Sequence, residues 1–591
     1  MKTGDDLLLL LGDEAVALGA VHSDVRMAYS YPGTPATEIL EAIRCLEPSI
    51  GARWTVNEKT AFEQALGVAY AGSRVLVSMK HVGLNVAADP LMSSAYSGIN
   101  AGFLIISADD PGMHSSQNEQ DNRILAKFAK IPVLEPSDSQ EAHDFAKIGF
   151  WISEEFDTPI LLRLTTRISH TKCIVEVGER EEKGVKPYNK DIYKYILVPA
   201  HARKRHIVVE ERLERLREFA EKTELNRIEW GNRDIGIVTS GIAYQYAKEI
   251  MPEASFLKLG FSWPTPIDLI KKFSSQVKKL YVVEELEPFI EDALRAAGLE
   301  VTGKEVVPRI NELTPRRVRV ALTGKELPHP EPEEVVSRPP VLCPGCPHMG
   351  IYWALRRLRA TVMGDIGCYT LGFQEPLSAM DTCLEMGFSV SGAHGLEKAQ
   401  GRKFAKKLVA TIGDSTFLHS GVTGLMDVVY NKGTSTVIIL DNRTTAMTGH
   451  QDHPATGKTA KGEPTKEIDF KKLAHAIGVE KVFEIDPHDL KMTRKVLKEA
   501  MELDEPTVVI AKRPCVLLKE EWKKLQARPK KKIIPEKCKG ETCRNCLTIG
   551  CSAIYWKEGK AWINPLLCVG CDLCQQLCPF GAIVEDVKDE N

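Results

Sequence analysis

Eight of the chain's 15 cysteines fall after residue 537, and the last four read Cys568-x2-Cys571-x2-Cys574-x3-Cys578-Pro579. That spacing wraps one short loop around a cubane iron–sulfur cluster with three thiolates and sends the fourth to a second cluster. A second cysteine group is therefore needed close by, and Cys538, Cys543, Cys546 and Cys551 supply it. Zinc ribbons use two separated CxxC pairs, not four cysteines crowded before a proline. A disulfide framework calls for an oxidising compartment. The first group is less regular, spaced x4, x2, x4, with Ser552 where the second group has its proline, so its nuclearity stays open. A segment of this kind carries electrons, and the rest of the chain has to supply them.

The chain has 591 residues, enough for about three to five domains. A net charge of -3, with 43% hydrophobic and 27% charged residues, is that of an ordinary globular protein and gives no reason to expect nucleic acid or a membrane surface as partner. No apolar run approaches the roughly 20 residues that span a bilayer. Asp5 and Asp6 precede the apolar Leu7 to Leu11, where a secretory signal would carry basic residues. The expectation is a first strand or helix of the fold and a cytoplasmic location, which suits reduced cysteines.

Residues 1–170 alternate short apolar runs such as Val75-Leu-Val-Ser, Phe103-Leu-Ile-Ile-Ser and Pro159-Ile-Leu-Leu with helix-length segments, the pattern of a parallel α/β sheet. Residues 171–230 are densely charged and read as a linker with a surface helix. Residues 231–335 resume the α/β pattern with Ile235-Gly-Ile-Val and Leu280-Tyr-Val-Val. A Pro- and Glu-rich connector over 326–340 leads to a further α/β block, 340–520. A basic, Pro-containing stretch over 521–537 reads as a tether to the cysteine-rich tail, 530–591.

Within the 340–520 block, Leu408-Val-Ala-Thr-Ile-Gly413-Asp414-Ser415 is followed at a helix-length distance by Asp441-Asn442. Strands over Leu408 to Ile412 and Thr436 to Leu440, with a helix over about His419 to Asn431, make a βαβ unit. Its carboxylate and amide then stand at the carboxyl ends of two strands, where parallel sheets bind ligands. Mg2+ wants hard oxygen donors; Asp414, Asn442 and a backbone carbonyl just beyond, at Thr444, can provide them. Gly413 allows close backbone approach and the helix start after Ser415 favours phosphate oxygens. The plain alternative is a capped turn; the Asp-Asn partner favours a thiamine diphosphate motif.

With Thr448-Gly449-His450-Gln451, Cys343-Pro-Gly-Cys346-Pro-His348 and Tyr31-Pro-Gly-Thr34-Pro35, these residues resemble the 2-oxoacid:ferredoxin oxidoreductases, and in domain order the large (alpha) subunit of the indolepyruvate-oxidising branch. The resemblance implies an α/β multidomain fold. Pyrimidine-side (1–170) and diphosphate-side (340–520) thiamine diphosphate domains would be built on parallel sheets, 231–335 would be transketolase C-terminal-like, and 530–591 a small α+β ferredoxin-like tail. Two departures from the family pattern, Ser415 and Asp441, remove no magnesium ligand.

The resemblance further implies oxidative decarboxylation of an aromatic 2-oxo acid with coenzyme A, giving the aryl-acetyl-CoA and CO2, with two electrons passing to ferredoxin. It casts Glu58 as the carboxylate that hydrogen-bonds the aminopyrimidine, although a glutamate at a helix start is otherwise a helix-end charge. Thr34 would contact substrate. Arg123 could hold the substrate carboxylate as a fork, with a salt-bridged surface arginine as the alternative. Cys343, Cys346, Cys368 and Cys515 would ligate a third, proximal 4Fe-4S cluster; a CxxC pair with two buried thiols is the plainer reading. In the tail, Cys538, Cys543 and Cys546 would pair with Cys578, and Cys568, Cys571 and Cys574 with Cys551. A small beta subunit is implied as partner, in a two-plus-two heteromer. Pyruvate or branched-chain 2-oxo acids as substrates, or an electron-carrier subunit with a degenerate thiamine site, are the competing readings.

Overall fold

The computed structural model of the protein describes residues 7–328, 335–336 and 338–586. The stretch before Leu7 and most of the connector over 326–340 therefore lie outside the described residues. The chain divides into two compact units, residues 1–331 and 332–591. No helix among the described residues is long and apolar enough to cross a membrane.

The first unit is built on a seven-stranded sheet in the spatial order Phe261–Trp263, Val133–Leu134, Ile160–Thr165, Phe103–Asp109, Val75–Lys80, Met27–Ser30, Gly51–Trp54. All neighbours run parallel except the edge strand Phe261–Trp263. The central strand Phe103–Asp109 is buried at every residue, because a parallel sheet is covered on both faces. Helices Gly12–His22 and Ser139–Phe156 cover one face, and Glu58–Tyr70 and Ala88–Ser97 the other. A second sheet, ordered Lys279–Val283, Asn232–Ser240, Ala254–Leu259, Asn226–Glu229, is parallel save for its last strand.

Residues 171–230 do more than link. Lys172–Glu176 pairs antiparallel with Leu7–Leu11. The helix Pro199–Ala220 buries Val209, Arg212, Leu213, Leu216 and Ala220, a stripe at helical spacing hidden among charges. Arg212 donates to the carbonyl of Asp157 at 2.7 Å and to that of Ala95.

The second unit holds a five-stranded, all-parallel sheet ordered Thr361–Met363, Leu408–Gly413, Thr436–Asp441, Thr507–Lys512, Lys481–Ile485. The crossover from Leu408–Gly413 to Thr436–Asp441 runs through a short helical turn, Asp414–Thr416, and a π-helical turn, Phe417–Gly421, before the α-helix Val422–Tyr430; π-helical turns cluster at functional sites.

The basic stretch read as a tether is structured. Lys519–Gln526 is helical, and Lys530–Ile533 pairs antiparallel with Ile583–Asp586. Lys531 and Ile533 are buried, two residues apart on one face of the strand, and the Lys531 ammonium is held by Asp572 at 2.6 Å and Glu585 at 3.2 Å. The tail packs on the parallel-sheet domain. Gln576 accepts from the Leu490 amide at 3.0 Å and donates to the His488 carbonyl at 2.7 Å, and the Trp353 indole donates to Thr548 at 3.3 Å.

Candidate functional site

In the second unit, Gly413 lies opposite Leu440 in the parallel register, so Asp414 and Asp441-Asn442 leave neighbouring strands side by side at the carboxyl edge. Asp414, Asp441, Asn442 and Thr444 are all buried. Asp414 accepts from the Ser415 and Arg443 amides, each at 2.8 Å, and the His453 imidazole stands 3.2 Å from it. Burial, and then the charge of Asp414, pushes the Asp441 carboxyl up to about 7. Two buried carboxylates and an amide oxygen at one strand edge are hard oxygen donors of the kind Mg2+ takes, although Arg443, Lys512 and His453 also act on Asp441. Gly413 is required for a different reason than phosphate approach alone: a Cβ there would lie 2.8 Å from the Tyr369 ring.

The Thr448-Gly449-His450-Gln451 segment folds onto this edge. Thr448 and Gln451 hydrogen-bond each other at 2.6 and 2.9 Å, and Gly449 has φ +124°, a left-handed geometry that favours glycine. Thr445 donates to the Ser415 hydroxyl at 3.1 Å.

Beside these donors four thiols meet. Cys343 and Cys346 sit in the turn before helix His348–Leu358, Cys368 opens a 3-10 turn, and Cys515 follows strand Thr507–Lys512. Burial first, and then Cys515 and Cys343, pushes the Cys368 thiol up to about 11; Cys346 is raised by burial and by the other three. The Cys515 amide donates to the Asn442 carbonyl at 2.9 Å, and its sulfur lies 3.8 Å from the His450 imidazole.

In the tail, Cys538, Cys543, Cys546 and Cys578 line one cavity. Cys551, Cys568, Cys571 and Cys574 line a second, together with Pro344 and Gly345 of the proximal turn. A Cβ on Gly345 would lie 3.3 Å from Cβ of Cys571 and 2.5 Å from Val569, so the proximal turn and the second tail cavity share a wall. Burial leads in raising Cys546 to about 11 and Cys571 to about 12, with their neighbouring thiols adding to it. Four thiols lining one cavity, in each case, fit an iron–sulfur cluster.

In the first unit the loops at the carboxyl edge of the sheet bring Thr34, Glu58 and a residue that the sequence did not single out, Lys80, together. Glu58 starts the helix Glu58–Tyr70 behind its cap Asn57, is 5% exposed, and lies against Gly83, where a Cβ would stand 2.6 Å from its carboxylate. Lys80 ends strand Val75–Lys80, packs its stem 3.2 Å from the Cβ position of Gly33, and donates to the Ser115 carbonyl at 2.9 Å. Burial pulls its ammonium below the ordinary range, opposed by Asp110 and Glu58. The Ser115 hydroxyl donates to the Thr34 carbonyl at 3.1 Å. A lysine closing a buried strand at this edge was the available signal for Lys80.

Arg123 is a correction. It is fully buried, and its donors go to Asp121 (2.5 and 2.9 Å), Glu284 (2.9 Å) and the Glu285 carbonyl (2.9 Å). With Arg163 it forms a closed cluster with Asp109, Asp121, Glu135 and Glu284. Its fork is taken by protein carboxylates and carbonyls, not offered to a substrate.

Family models match three stretches: "Pyruvate flavodoxin/ferredoxin oxidoreductase, thiamine diP-bdg" over residues 18–226, "Thiamine pyrophosphate enzyme, C-terminal TPP binding domain" over 365–511, and "4Fe-4S binding domain" over 561–584. The indolepyruvate oxidoreductase subunit IorA of Pyrococcus horikoshii is 40% identical over 643 residues, covering 100% of this chain and 98% of its own. That of Archaeoglobus fulgidus is 41% identical, covering 98% and 97%. A solved 2-oxoglutarate:ferredoxin oxidoreductase from Magnetococcus marinus, with 2-oxoglutarate, coenzyme A and succinyl-CoA bound, gives a TM-score of 0.45 at 17% identity over 54% of this chain and 65% of that one.

Proposed function

The chain belongs to the indolepyruvate oxidoreductase subunit IorA family of 2-oxoacid:ferredoxin oxidoreductases, and from that premise we propose that it oxidatively decarboxylates aryl pyruvates, indolepyruvate among them. The products are the aryl-acetyl-CoA and CO2, with coenzyme A as acyl acceptor and ferredoxin receiving two electrons. The observation that carries this reading is the shared backbone between a magnesium donor and a thiol quartet: the Cys515 amide bonded to the Asn442 carbonyl.

Bound thiamine diphosphate supplies the nucleophilic carbon and electron sink for decarboxylation, and iron–sulfur clusters supply one-electron acceptors. Asp414, Asn442 and the Thr444 carbonyl would hold Mg2+ and with it the diphosphate, with Ser415, Thr448 and Gly449 shaping the loop around them. Glu58, buried at its helix start, would be the carboxylate that hydrogen-bonds the aminopyrimidine, where a positioned acid–base group would help activate the cofactor. Thr34 contacts substrate. Lys80, half-buried beside the Thr34 loop, provides the positive charge for the substrate carboxylate that Arg123 does not. Three quartets, proximal and two in the tail, ligate three 4Fe-4S clusters. A small beta subunit completes the enzyme, as two large and two small chains.

The test is anaerobic, on the chain coexpressed with a small partner: coenzyme A-dependent reduction of ferredoxin with indolepyruvate and with pyruvate. Faster reduction with indolepyruvate supports the aromatic specificity. Preference for pyruvate overturns that specificity and keeps the chemistry. No reduction by protein loaded with iron and thiamine diphosphate leaves an electron-carrier subunit.

A further inference from the structure

Outside the site described above, one group of side chains in the first unit gathers two carboxylates and an imidazole around one point. Asp13, Glu38 and His170 bring one ligand atom each within 4.8 Å of one another. Asp13 is fully buried, and both of its carboxylate oxygens are without a hydrogen-bond partner. One oxygen of Glu38 and the hydroxyl of Ser169 are likewise buried and unpaired. The His170 imidazole stands 3.7 Å from Glu38 as an ion pair, and its pull leads in holding the Glu38 carboxyl below the ordinary range. The charges acting on Asp13 are the carboxylates Glu38 and Glu14, with no cation among them; burial first and Glu38 next raise its carboxyl well above the usual range, against a pull from the nearby Ser169 hydroxyl, which does not close a well-formed hydrogen bond. A buried carboxylate without partner is costly unless it is protonated or holds a metal.

The fold brings these residues together deliberately. The strand pair Leu7–Leu11 and Lys172–Glu176 ends at Leu11 opposite Lys172. Two residues further on each chain stand Asp13 and His170. Gly12 lets the two segments close: a Cβ there would lie 2.0 Å from the Ile168 carbonyl oxygen. Glu38 enters from the first turn of helix Thr37–Leu46.

We propose that Asp13, Glu38 and His170 form a binding site for a first-row divalent cation, separate from the magnesium and iron–sulfur sites. One imidazole with two carboxylates is a borderline donor set suited to Zn2+, Mn2+ or Fe2+ rather than a thiolate site's soft ions. Glu38 and His170 are more than a third exposed on their side chains, which gives the ion a path in and leaves coordination positions for water. The ion pins the base of the Leu7–Leu11 ribbon to the start of helix Thr37–Leu46, three residues after Thr34. Its role is to hold that loop's footing.

Zinc is the probe, because iron already resides elsewhere in the enzyme. The anaerobic holoenzyme is equilibrated with Zn2+, desalted, and its zinc, iron and thiamine diphosphate are measured per chain. Asp13→Asn and His170→Gln are measured beside it; the second changes a partly exposed residue and keeps the fold testable through unchanged iron. The wild type is expected to retain one zinc per chain more than either variant, with a thermal midpoint raised by zinc in the wild type alone. Equal zinc in wild type and His170→Gln, at equal iron, overturns the site and leaves Asp13 as a protonated acid facing Glu38.

Discussion

The amide of Cys515 donates to the carbonyl of Asn442 at 2.9 Å, so a residue of the proximal quartet and a residue of the proposed magnesium site share one backbone hydrogen bond between adjacent loops. The bond ties the two loops together, so under the proposed function a cofactor held at Asn442 would keep its place relative to the proximal quartet; the loop carrying His450, 3.8 Å from the Cys515 sulfur, closes the same corner.

Asp414→Ala is expected to abolish retention of thiamine diphosphate through gel filtration. A hard divalent ion loses its anionic ligand, while iron content stays at the wild-type level. Full cofactor in the purified variant would refute the assignment of this edge.

Glu58→Gln keeps the size and burial of the side chain and removes the carboxylate. Turnover should fall by about a hundred- to ten-thousandfold, the range for losing a positioned acid–base group, with thiamine diphosphate still bound. Wild-type turnover would assign Glu58 to the helix end alone.

Lys80→Met and Arg123→Leu separate two cations. Losing a charge-assisted bond to the substrate costs about 1.5–3 kcal/mol, so Lys80→Met should raise KM for the 2-oxo acid roughly ten- to a hundredfold with little change in melting temperature. Arg123→Leu strands Asp121 and Glu284 in the interior and should cost about 3–5 kcal/mol of stability. A Lys80 variant with unaltered KM removes it from the substrate; an Arg123 variant that melts like the wild type contradicts the closed cluster.

Cys571→Ser opens the quartet whose wall is shared with Gly345. Release of CO2 should persist with an artificial acceptor while ferredoxin reduction collapses. Undiminished ferredoxin reduction would show that electrons leave by another route.

His22 is buried and its imidazole is lowered to about 4, by burial first and then by His143, whose ring nitrogen lies 3.4 Å away. The folded state therefore binds fewer protons than the unfolded between the ordinary histidine value and about 4. The stability this neutral ring contributes is complete above that window and is lost as pH falls through it. The advantage of the wild type over His22→Gln in anaerobic melting should narrow between about pH 7 and pH 5. An advantage that stays constant with pH would show that His22 does not titrate in this window.

Local patterns made much of this legible. Strand and helix periods announced the parallel sheets; Gly413-Asp414 and Asp441-Asn442 marked the ends of two neighbouring strands, and the cysteine spacings marked the tail. What stayed hidden was non-local. Asp121 stands two residues from Arg123, but Glu284, which takes the other arm of its fork, lies 161 positions away, so the sequence around Arg123 does not tell that the fork is filled. The edge strand Phe261–Trp263 joins a sheet otherwise completed by residue 165. Asp13, Glu38 and His170 meet only because one ribbon pairs in one register. The charged runs at 199–220 and 530–533 concealed buried residues because lysine and arginine can bury their stems while their charges find partners.

The docking of the tail through Gln576, Thr548 and Gly345 has a kinetic consequence. A domain hung on a loose strap must search for its contact, and its transfer rate then follows solvent viscosity. A tail bolted in place does not search. Thickening the solvent should leave internal electron delivery untouched and slow only the encounter with the external carrier.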